Sequence, residues 1–291
     1  MDLVKQFRSY IDNGEFLFAP GVHDCVTAKI AEKVGHKAVY MGGFGTSAAI
    51  YGKPDVGLVT ITEMISHARN IVNSVNLPVF ADADTGHGNP LNVRRTVQEY
   101  ERAGVAGIQM EDQTHPKKCG NMPERHVISV NEMVEKIKAA VDARKNQDLV
   151  IAIRSDAYID SGINELIDRG HAYIEAGADV FWPLLYDCKG VHEIRKVTSS
   201  FNNFPLMATL TNYSATAYLT LDEFKELGFR VVISPFAALS IAAPIIMSLM
   251  QEMKDTGSLK AFSDMLMPFD DLTDLLGLPD IKKLENKYGI K

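Results

Sequence analysis

Acidic side chains stand at the ends of two short apolar segments of this sequence. LPVFADAD ends with Asp82 and Asp84, and AGIQMEDQ carries Glu111 followed by Asp112. Alternate side chains of a strand share a face, so we expect Asp82 and Asp84 to point the same way, about 7 Å apart. A divalent cation would stabilise such a pair, and oxygen ligands without His or Cys favour Mg²⁺ or Mn²⁺ over Zn²⁺. The alternative is that both Asp residues serve a turn.

Two further segments end in groups that bind anions. LVIAIRSDA carries Arg154 two residues before Asp156. Arg154 therefore either pairs with the acids or binds a substrate carboxylate through two N–H groups. YMGGFG contains Gly42 and Gly43, whose backbone amides can approach an anion closely, although glycine-rich turns are common.

Cys119 lies in PKKCGNMPER, a stretch too rich in Gly and Pro for a helix or strand. It follows the segment that contains Glu111, so we expect it over the same end of the sheet. Lys117 and Lys118 precede it and favour the thiolate, which would lower the pKa of the thiol and make Cys119 a candidate proton donor or acceptor. The alternative is a small buried apolar residue, which is how we interpret Cys25 and Cys188.

Eight apolar runs separated by helix-like stretches must position these groups. The runs are FLFAPG, KAVYMGG, LPVFADAD, AGIQMEDQ, LVIAIRSDA, DVFWPLL, FPLMATLT and RVVISPF. Their apolar residues fall on both faces, which is typical of buried parallel strands. Thr60, Ser129 and Thr220 each precede a Glu by three positions, which predicts capping boxes at helix starts. The pattern predicts an α/β fold, a (β/α)₈ TIM barrel with its active site at the carboxyl ends of the strands; an open doubly wound sheet is the alternative.

Length and composition predict one domain over residues 1–291, including a C-terminal helical extension from about residue 240. The extension begins with the apolar, Met-rich stretch AALSIAAPIIMSLMQEMKD, which favours packing across the barrel or on another subunit.

Charge, hydropathy and cysteine spacing exclude several classes of partner. A net charge of −7 with no basic cluster beyond Lys117 and Lys118 argues against nucleic acid. The sequence lacks a run of about 18 apolar residues and an apolar signal sequence, so we expect no membrane partner and a cytoplasmic protein. Three widely separated cysteines argue against a disulfide framework.

The motifs YMGGFG, KPDVG, DADTGHG, MEDQ followed by KKCG, and IRSDA resemble those of the isocitrate lyase and phosphoenolpyruvate mutase superfamily, from about residue 5 to the C-terminus. The KKCG motif resembles the equivalent loop of the superfamily's carbon–carbon bond lyases, and not that of its phosphonate mutases. The resemblance implies Mg²⁺ held by Asp82 and Asp84, with Asp55 and Glu111 completing the shell. It also implies a homotetramer in which the C-terminal helices are exchanged between subunits.

The same resemblance implies residue roles for a small dicarboxylate or 2-oxo acid substrate. Cys119 would be the acid/base, on a gating loop around residues 115 to 126 that Lys117 helps to position. The implied substrate-binding set comprises Tyr40, Gly42, Gly43, Arg154, Thr209 and Thr211.

Departures from the superfamily pattern narrow the substrate. Isocitrate and methylisocitrate lyases have His, an acid and Asn where this chain has Asn121, Leu184 and Thr209. A third substrate carboxylate beside Leu184 and Trp182 would be costly to bury. A methyl-substituted dicarboxylate, such as 2,3-dimethylmalate cleaved to pyruvate and propionate, fits better. The alternatives are methylisocitrate cleavage, an oxaloacetate or phosphonopyruvate reaction at the same metal site, and a non-catalytic keto-acid-binding protein.

Overall fold

Eight parallel strands form the centre of the molecule. The computed structural model describes residues 2–212, 216–217 and 219–290. The strands are β1 Leu17–Val22, β2 Val39–Met41, β3 Val79–Asp82, β4 Gly107–Glu111, β5 Val150–Ser155, β6 Val180–Pro183, β7 Met207–Thr209 and β8 Val231–Ser234. Their order, β6-β5-β4-β3-β2-β1-β8-β7, and one parallel bridge between Phe181 and Leu206 give a nearly closed barrel. The predicted TIM barrel is confirmed.

Helices surround the barrel and extend beyond it. They are α1 Leu3–Asp12, α2 Cys25–Val34, α3 Gly43–Tyr51, α4 Ile61–Ser74, α5 Pro90–Ala103, α6 Val130–Ala143, α7 Ala157–Glu175, α8 Val191–Ser199, α9 Leu221–Glu226, α10 Ala237–Thr256, α11 Phe269–Leu275 and α12 Leu278–Tyr288, with a 3₁₀ helix at Lys260–Met265. The predicted capping boxes form at Thr60 and Thr220. Ser129 accepts a bond from the Glu132 amide, but the reciprocal bond is absent there.

Strand alternation separates two apolar cores. On β5, Val150 and Ala152 belong to the cluster inside the barrel, whereas Ile151 and Ile153 pack against the surrounding helices. The same period of two places Arg154 on the inner face, above Ala152. Helix α1 closes the other end, where the Phe7 and Phe80 rings stack with centroids 5.5 Å apart.

Register aligns the acids and bases at one end of the barrel. β4 and β5 pair from Gly107 opposite Val150 to Glu111 opposite Arg154. Because parallel strands end together, Glu111 and Arg154 lie side by side at the carboxyl end, which we call the mouth of the barrel. The mouth is where the sequence predicted the active site.

The C-terminal helices leave much apolar surface exposed. Helix α10 has no fully buried residue, and Met247 on α10 and Phe269 on α11 are 72% and 76% exposed. In the described part of the chain, no helix is long and apolar enough to cross a membrane. It stays a prediction that these helices are exchanged between subunits. It also stays a prediction that residues 1–291 form a single domain.

Candidate active site

One cavity at the mouth brings together seven of the predicted site residues. Aromatic and apolar residues, among them Trp182 and Tyr186, complete its lining. The seven are Tyr40, Gly42, Gly43, Asp55, Asp82, Cys119 and Arg154. Residues from five different segments of the chain therefore meet at one point, as expected of a barrel active site.

Asp82 and Asp84 lie on one face at the mouth, as the sequence predicted. β3 ends at Asp82, but pairing with β4 continues, because the Glu111 amide donates to the Asp84 carbonyl at 2.9 Å. Asp84 then begins a turn in the left-handed region with φ 49°. Asp82 stabilises this turn, because its Oδ1 accepts a bond from the Asp84 amide at 2.9 Å while its Oδ2 accepts one from Gly43 at 2.8 Å.

Gly43 leaves the space in which three polar groups approach one another. A Cβ atom at Gly43 would lie 2.9 Å from Lys117 Nζ, 3.0 Å from Asp82 Oδ2 and 3.2 Å from Asp84 Oδ1. Any larger side chain would displace these groups. The glycine is therefore required by close approach, not by an unusual backbone conformation.

Lys117 forms the centre of the acidic cluster. Its Nζ lies 2.7 Å from Asp55 Oδ2 and 2.7 Å from Asp84 Oδ1, and all three side chains are buried. Burial raises the pKa of the Asp55 and Asp84 carboxyls, and Lys117 opposes that effect. The acids in turn hold the pKa of Lys117 well above its usual value despite burial.

The donor set and its charge fit a divalent cation. Five buried acids face three buried bases at the mouth, and burial raises the pKa of the Glu111 carboxyl to about 8. The acids are Asp55, Asp82, Asp84, Glu111 and Asp156, and the bases are Lys117, Arg125 and Arg154. Glu111 Oε1 is buried without a hydrogen-bond partner, as an oxygen available to a cation would be. No three carboxylates of the described residues are arranged as a chelate, because the Lys117 ammonium lies between Asp55 and Asp84.

Arg154 is fixed on three sides. Its Nε and Nη2 each donate to a different oxygen of Asp156 at 2.8 Å, and its Nη1 lies 3.2 Å from Glu111 Oε2. The guanidinium carbon lies 5.0 Å from the centre of the Trp182 ring. Burial alone would lower the pKa of Arg154, but Asp156 and Glu111 raise it well above its usual value. Both roles inferred from the sequence, ion pairing and carboxylate binding, remain compatible with this position.

The segment that carries Cys119 lies over the mouth. The Cys119 amide donates to the Asp55 carbonyl at 3.0 Å, and the Met122 amide donates to the Cys119 carbonyl at 2.8 Å. A Cβ atom at Gly120 would lie 2.8 Å from Arg154 Nη2. The loop is therefore folded down onto the arginine.

The predicted thiolate at Cys119 was wrong in direction. Burial raises the pKa of the Cys119 thiol, and Lys117 and Arg154 oppose this only in part. The reason is that Lys117 turns towards Asp55 and Asp84, while Lys118 pairs with Glu124 near the surface at 3.0 Å.

Two predicted substrate residues lie beside this cavity and not in its lining. Thr209, at the end of β7, lines a smaller space with Trp182 and Tyr186. Thr211 lines a third cavity with Phe236 and Ile241, at the start of α10. Both hydroxyl residues are buried, so a contact with substrate would require the intervening side chains to move.

Sequence reasoning missed Gln109 and Arg125. Tyr40 donates to Gln109 Oε1 at 3.0 Å, and Gln109 Nε2 donates to Glu111 Oε2 at 3.2 Å. Gln109 precedes Glu111 by two positions, so period-two alternation was a signal that placed it on the inner face. Arg125 gave no such signal, because it lies in a loop without periodicity.

Two curated relatives resemble the whole chain. A family model described as phosphoenolpyruvate phosphomutase matches residues 7–254. 2,3-Dimethylmalate lyase of Eubacterium barkeri is 42% identical over 289 residues, 99% of each chain. 2-Methylisocitrate lyase of Aeropyrum pernix is 37% identical over 98% of this chain and 90% of that protein.

Solved structures show the same fold. A crystal structure of 2,3-dimethylmalate lyase superposes with a TM-score of 0.93 at 34% identity, covering 99% of this chain and 96% of that one. Phosphonopyruvate hydrolase in complex with oxalate and Mg²⁺ superposes with a TM-score of 0.90 at 30% identity, covering 99% of both chains.

Proposed function

Because this chain belongs to the phosphoenolpyruvate mutase and isocitrate lyase superfamily and is a carbon–carbon lyase, we propose that it cleaves a substituted malate with the aid of Mg²⁺. The best candidate substrate is 2,3-dimethylmalate, which would yield pyruvate and propionate. One observation carries the proposal: a half-buried thiol, an arginine and two carboxylates from separate segments line one cavity.

Asp82, Asp84, Asp55 and Glu111 would hold the cation, with Mn²⁺ as an alternative to Mg²⁺. When bound, the cation would supply positive charge that offsets the negative charge developing on the substrate as the bond breaks. The Mg²⁺ complex of phosphonopyruvate hydrolase supports this choice. Lys117 would share the charge of Asp55 and Asp84 and thereby keep the acids together before the cation arrives.

Arg154 would bind a substrate carboxylate. Its position is fixed by Asp156, so little side-chain freedom is lost when the carboxylate binds. The excess negative charge around it, from Glu111 and Asp156, argues that a substrate dianion enters together with a cation.

Cys119 would be the general acid. The proton of the substrate 2-hydroxyl would pass to a carboxylate that lines the cavity, and C2 would become the carbonyl of pyruvate. The electrons of the breaking C2–C3 bond would pass to C3 and its attached carboxyl group. The S–H proton of Cys119 then passes to C3 and completes propionate. A raised thiol pKa keeps that proton in place at neutral pH, and the folded loop holds it above the cavity.

The apolar part of the cavity supports a methyl-bearing substrate. A Cβ atom at Gly120 would lie 3.1 Å from Leu184 Cδ2 and 3.2 Å from Tyr186 Cε2, so both side chains reach the loop. Neither offers a cation to a third carboxylate, and burying such a group unpaired is costly. The likeness to 2,3-dimethylmalate lyase favours the same conclusion, whereas the likeness to 2-methylisocitrate lyase keeps that substrate as the alternative.

A side-by-side assay tests the proposal. The purified protein, stripped with EDTA, is given 2,3-dimethylmalate, methylisocitrate or oxaloacetate, with and without added Mg²⁺, and the released products are measured. We expect pyruvate from 2,3-dimethylmalate only when Mg²⁺ or Mn²⁺ is restored.

Faster turnover of methylisocitrate or oxaloacetate would overturn the substrate assignment. Activity that persists in EDTA would overturn the metal assignment. No turnover of any of the three, with pyruvate still bound, would favour the non-catalytic alternative.

Self-association and location complete the proposal. The exposed apolar side chains of α10 and α11 support a homo-oligomer, which the superfamily resemblance suggests is a tetramer. A cytoplasmic location accords with three free cysteines.

A further inference from the structure

We propose that Arg125 is a positioning residue that holds the Cys119 loop and Arg154 in one arrangement through the carboxylate they share, Asp156. The proposal rests on the proposed function, in which Cys119 and Arg154 act on the same substrate. It adds a residue that does not line the cavity and that would act only through others.

Arg125 links the loop that carries Cys119 to the barrel through hydrogen bonds and an ion pair. Its Nη1 donates to the Gly120 carbonyl and, at 2.7 Å, to the Met122 carbonyl. Its Nε lies 3.1 Å from Asp156 Oδ1, and its Nη2 donates to Asp187 Oδ2 at 3.0 Å. The side chain is only 3% exposed. One guanidinium thus joins the residues on both sides of Asn121 to the start of α7 and to the β6–α8 connection.

Asp156 is the point at which the loop and the substrate arginine meet. Both of its oxygens accept bonds from Arg154. Oδ1 also accepts a bond from the Gln113 amide nitrogen at 3.2 Å and lies 3.1 Å from the charged Arg125 Nε. An opening of the loop that withdraws Arg125 removes one of these partners. Asp156 would keep its bonds to Arg154 and Gln113 but lose the charge of Arg125 beside Oδ1, so we expect the paired Asp156 and Arg154 side chains to shift.

The backbone before Arg125 supports the same inference. Glu124 has φ 58°, a left-handed conformation that is unfavourable for a residue with a side chain. Its own side chain is 79% exposed and pairs only with Lys118. The turn directs Arg125 back under the loop, so the contacts of Arg125 compensate for the strain at Glu124.

Only an arginine matches this set of acceptors. Two carbonyls and two carboxylates on separate elements require several N–H donors in a fixed fork, which lysine does not have. Lysine at position 125 would keep the charge beside Asp156 but lose some of the loop contacts. A glutamine would lose the charge as well.

The sole tryptophan of the chain provides a readout that needs no turnover. Trp182 lies 5.0 Å from the Arg154 guanidinium, so its emission reports how Arg154 is placed. The Cys119 amide is hydrogen-bonded to the Asp55 carbonyl and the Met122 amide to the Cys119 carbonyl, so their hydrogen exchange reports loop closure.

The experiment compares Arg125→Gln and Arg125→Lys with Lys118→Gln. Lys118 lies in the same loop, but its ammonium contacts only the exposed Glu124. For Arg125→Gln we expect exchange of the Cys119 and Met122 amides to accelerate at least about tenfold, altered Trp182 emission, and a loss of roughly 100-fold in kcat/KM with kcat falling. Arg125→Lys should be intermediate, and Lys118→Gln should match the unsubstituted protein.

Unchanged exchange and emission in both Arg125 variants would overturn the proposal. Equal acceleration of amides in β4 and β5 would also overturn it, because Arg125 would then serve stability in general. If Arg125→Gln does not fold, Arg125→Lys decides between these outcomes. If the unsubstituted protein turns over none of the substrates, the proposed function fails, while exchange and emission still test Arg125.

Discussion

At the mouth of the barrel, charged side chains are buried and paired, whereas the C-terminal helices expose apolar side chains to solvent. Lys117 is 3% exposed and contacts Asp55 and Asp84 within the same chain. Met247 and Phe269, by contrast, are 72% and 76% exposed. Most soluble surfaces are arranged the other way round.

The difference shows that the two regions depend on different partners. The charged side chains of the mouth pair with residues of the same chain, so the candidate site residues come together without a second subunit. Among the described residues, most apolar side chains of α10 and α11 have no comparable partner. Side-chain caps do not follow this division, because α3, α7 and α8 lack one just as α10, α11 and α12 do.

The largest expected effect is a loss of turnover on substitution of Cys119, with little change in stability. Cys119→Ser replaces the thiol by a much weaker acid of similar size, so turnover should fall by about 10² to 10⁴-fold. The free energy of unfolding and the oligomeric state should change little. Pyruvate release, urea unfolding and sedimentation measure the three quantities.

Cys25→Ser is the matched control, because Cys25 begins α2 away from the cavity. It should keep full turnover. Near-normal activity of Cys119→Ser would remove the acid role of the thiol, and a large loss of stability would show that Cys119 mainly packs.

The residues that the sequence located correctly are those on regular elements. Period-two alternation carries Arg154 to the inner face of β5, and strand register brings it beside Glu111. Capping chemistry located the starts of α4 and α9 through Thr60 and Thr220. These features follow from local physics and from the barrel itself.

Features of the mouth that depend on competition between neighbours could not be predicted. The Lys117 ammonium could lie beside the Cys119 thiol or beside two buried carboxylates, and the carboxylates attract it more strongly. Asp84 adopts a left-handed backbone that is stabilised by the bond from its amide to Asp82 Oδ1. Arg125 reaches Asp187 across 62 residues of sequence, a distance that no local pattern encodes.

A medium effect is expected at the C-terminal helices. Met247→Lys places a charge on the most exposed apolar position of α10 and should weaken self-association by about 2 kcal/mol, roughly 30-fold in the dissociation constant. Sedimentation over a range of micromolar concentrations measures it. A monomeric unsubstituted protein would contradict the proposed assembly.

Gln251→Lys is the control on the same helix, since Gln251 already donates to Asp255 on a polar surface. It should leave association unchanged. Equal weakening by both substitutions would show that charge on α10, and not loss of its apolar surface, governs assembly.

The smallest expected effect is the loss of unfolding free energy when the side-chain cap of α4 is removed. Thr60→Ala removes the hydroxyl that accepts the Glu63 amide, so the free energy of unfolding should fall by about 1 kcal/mol without change in association. Thr273→Ala on α11 removes a hydroxyl that bonds only a carbonyl of its own helix, and should change stability by less than about 0.5 kcal/mol. Urea unfolding at one fixed protein concentration compares the two, because association itself adds stability. Equal losses would mean that the barrel and the C-terminal helices unfold as one unit in which capping makes no difference.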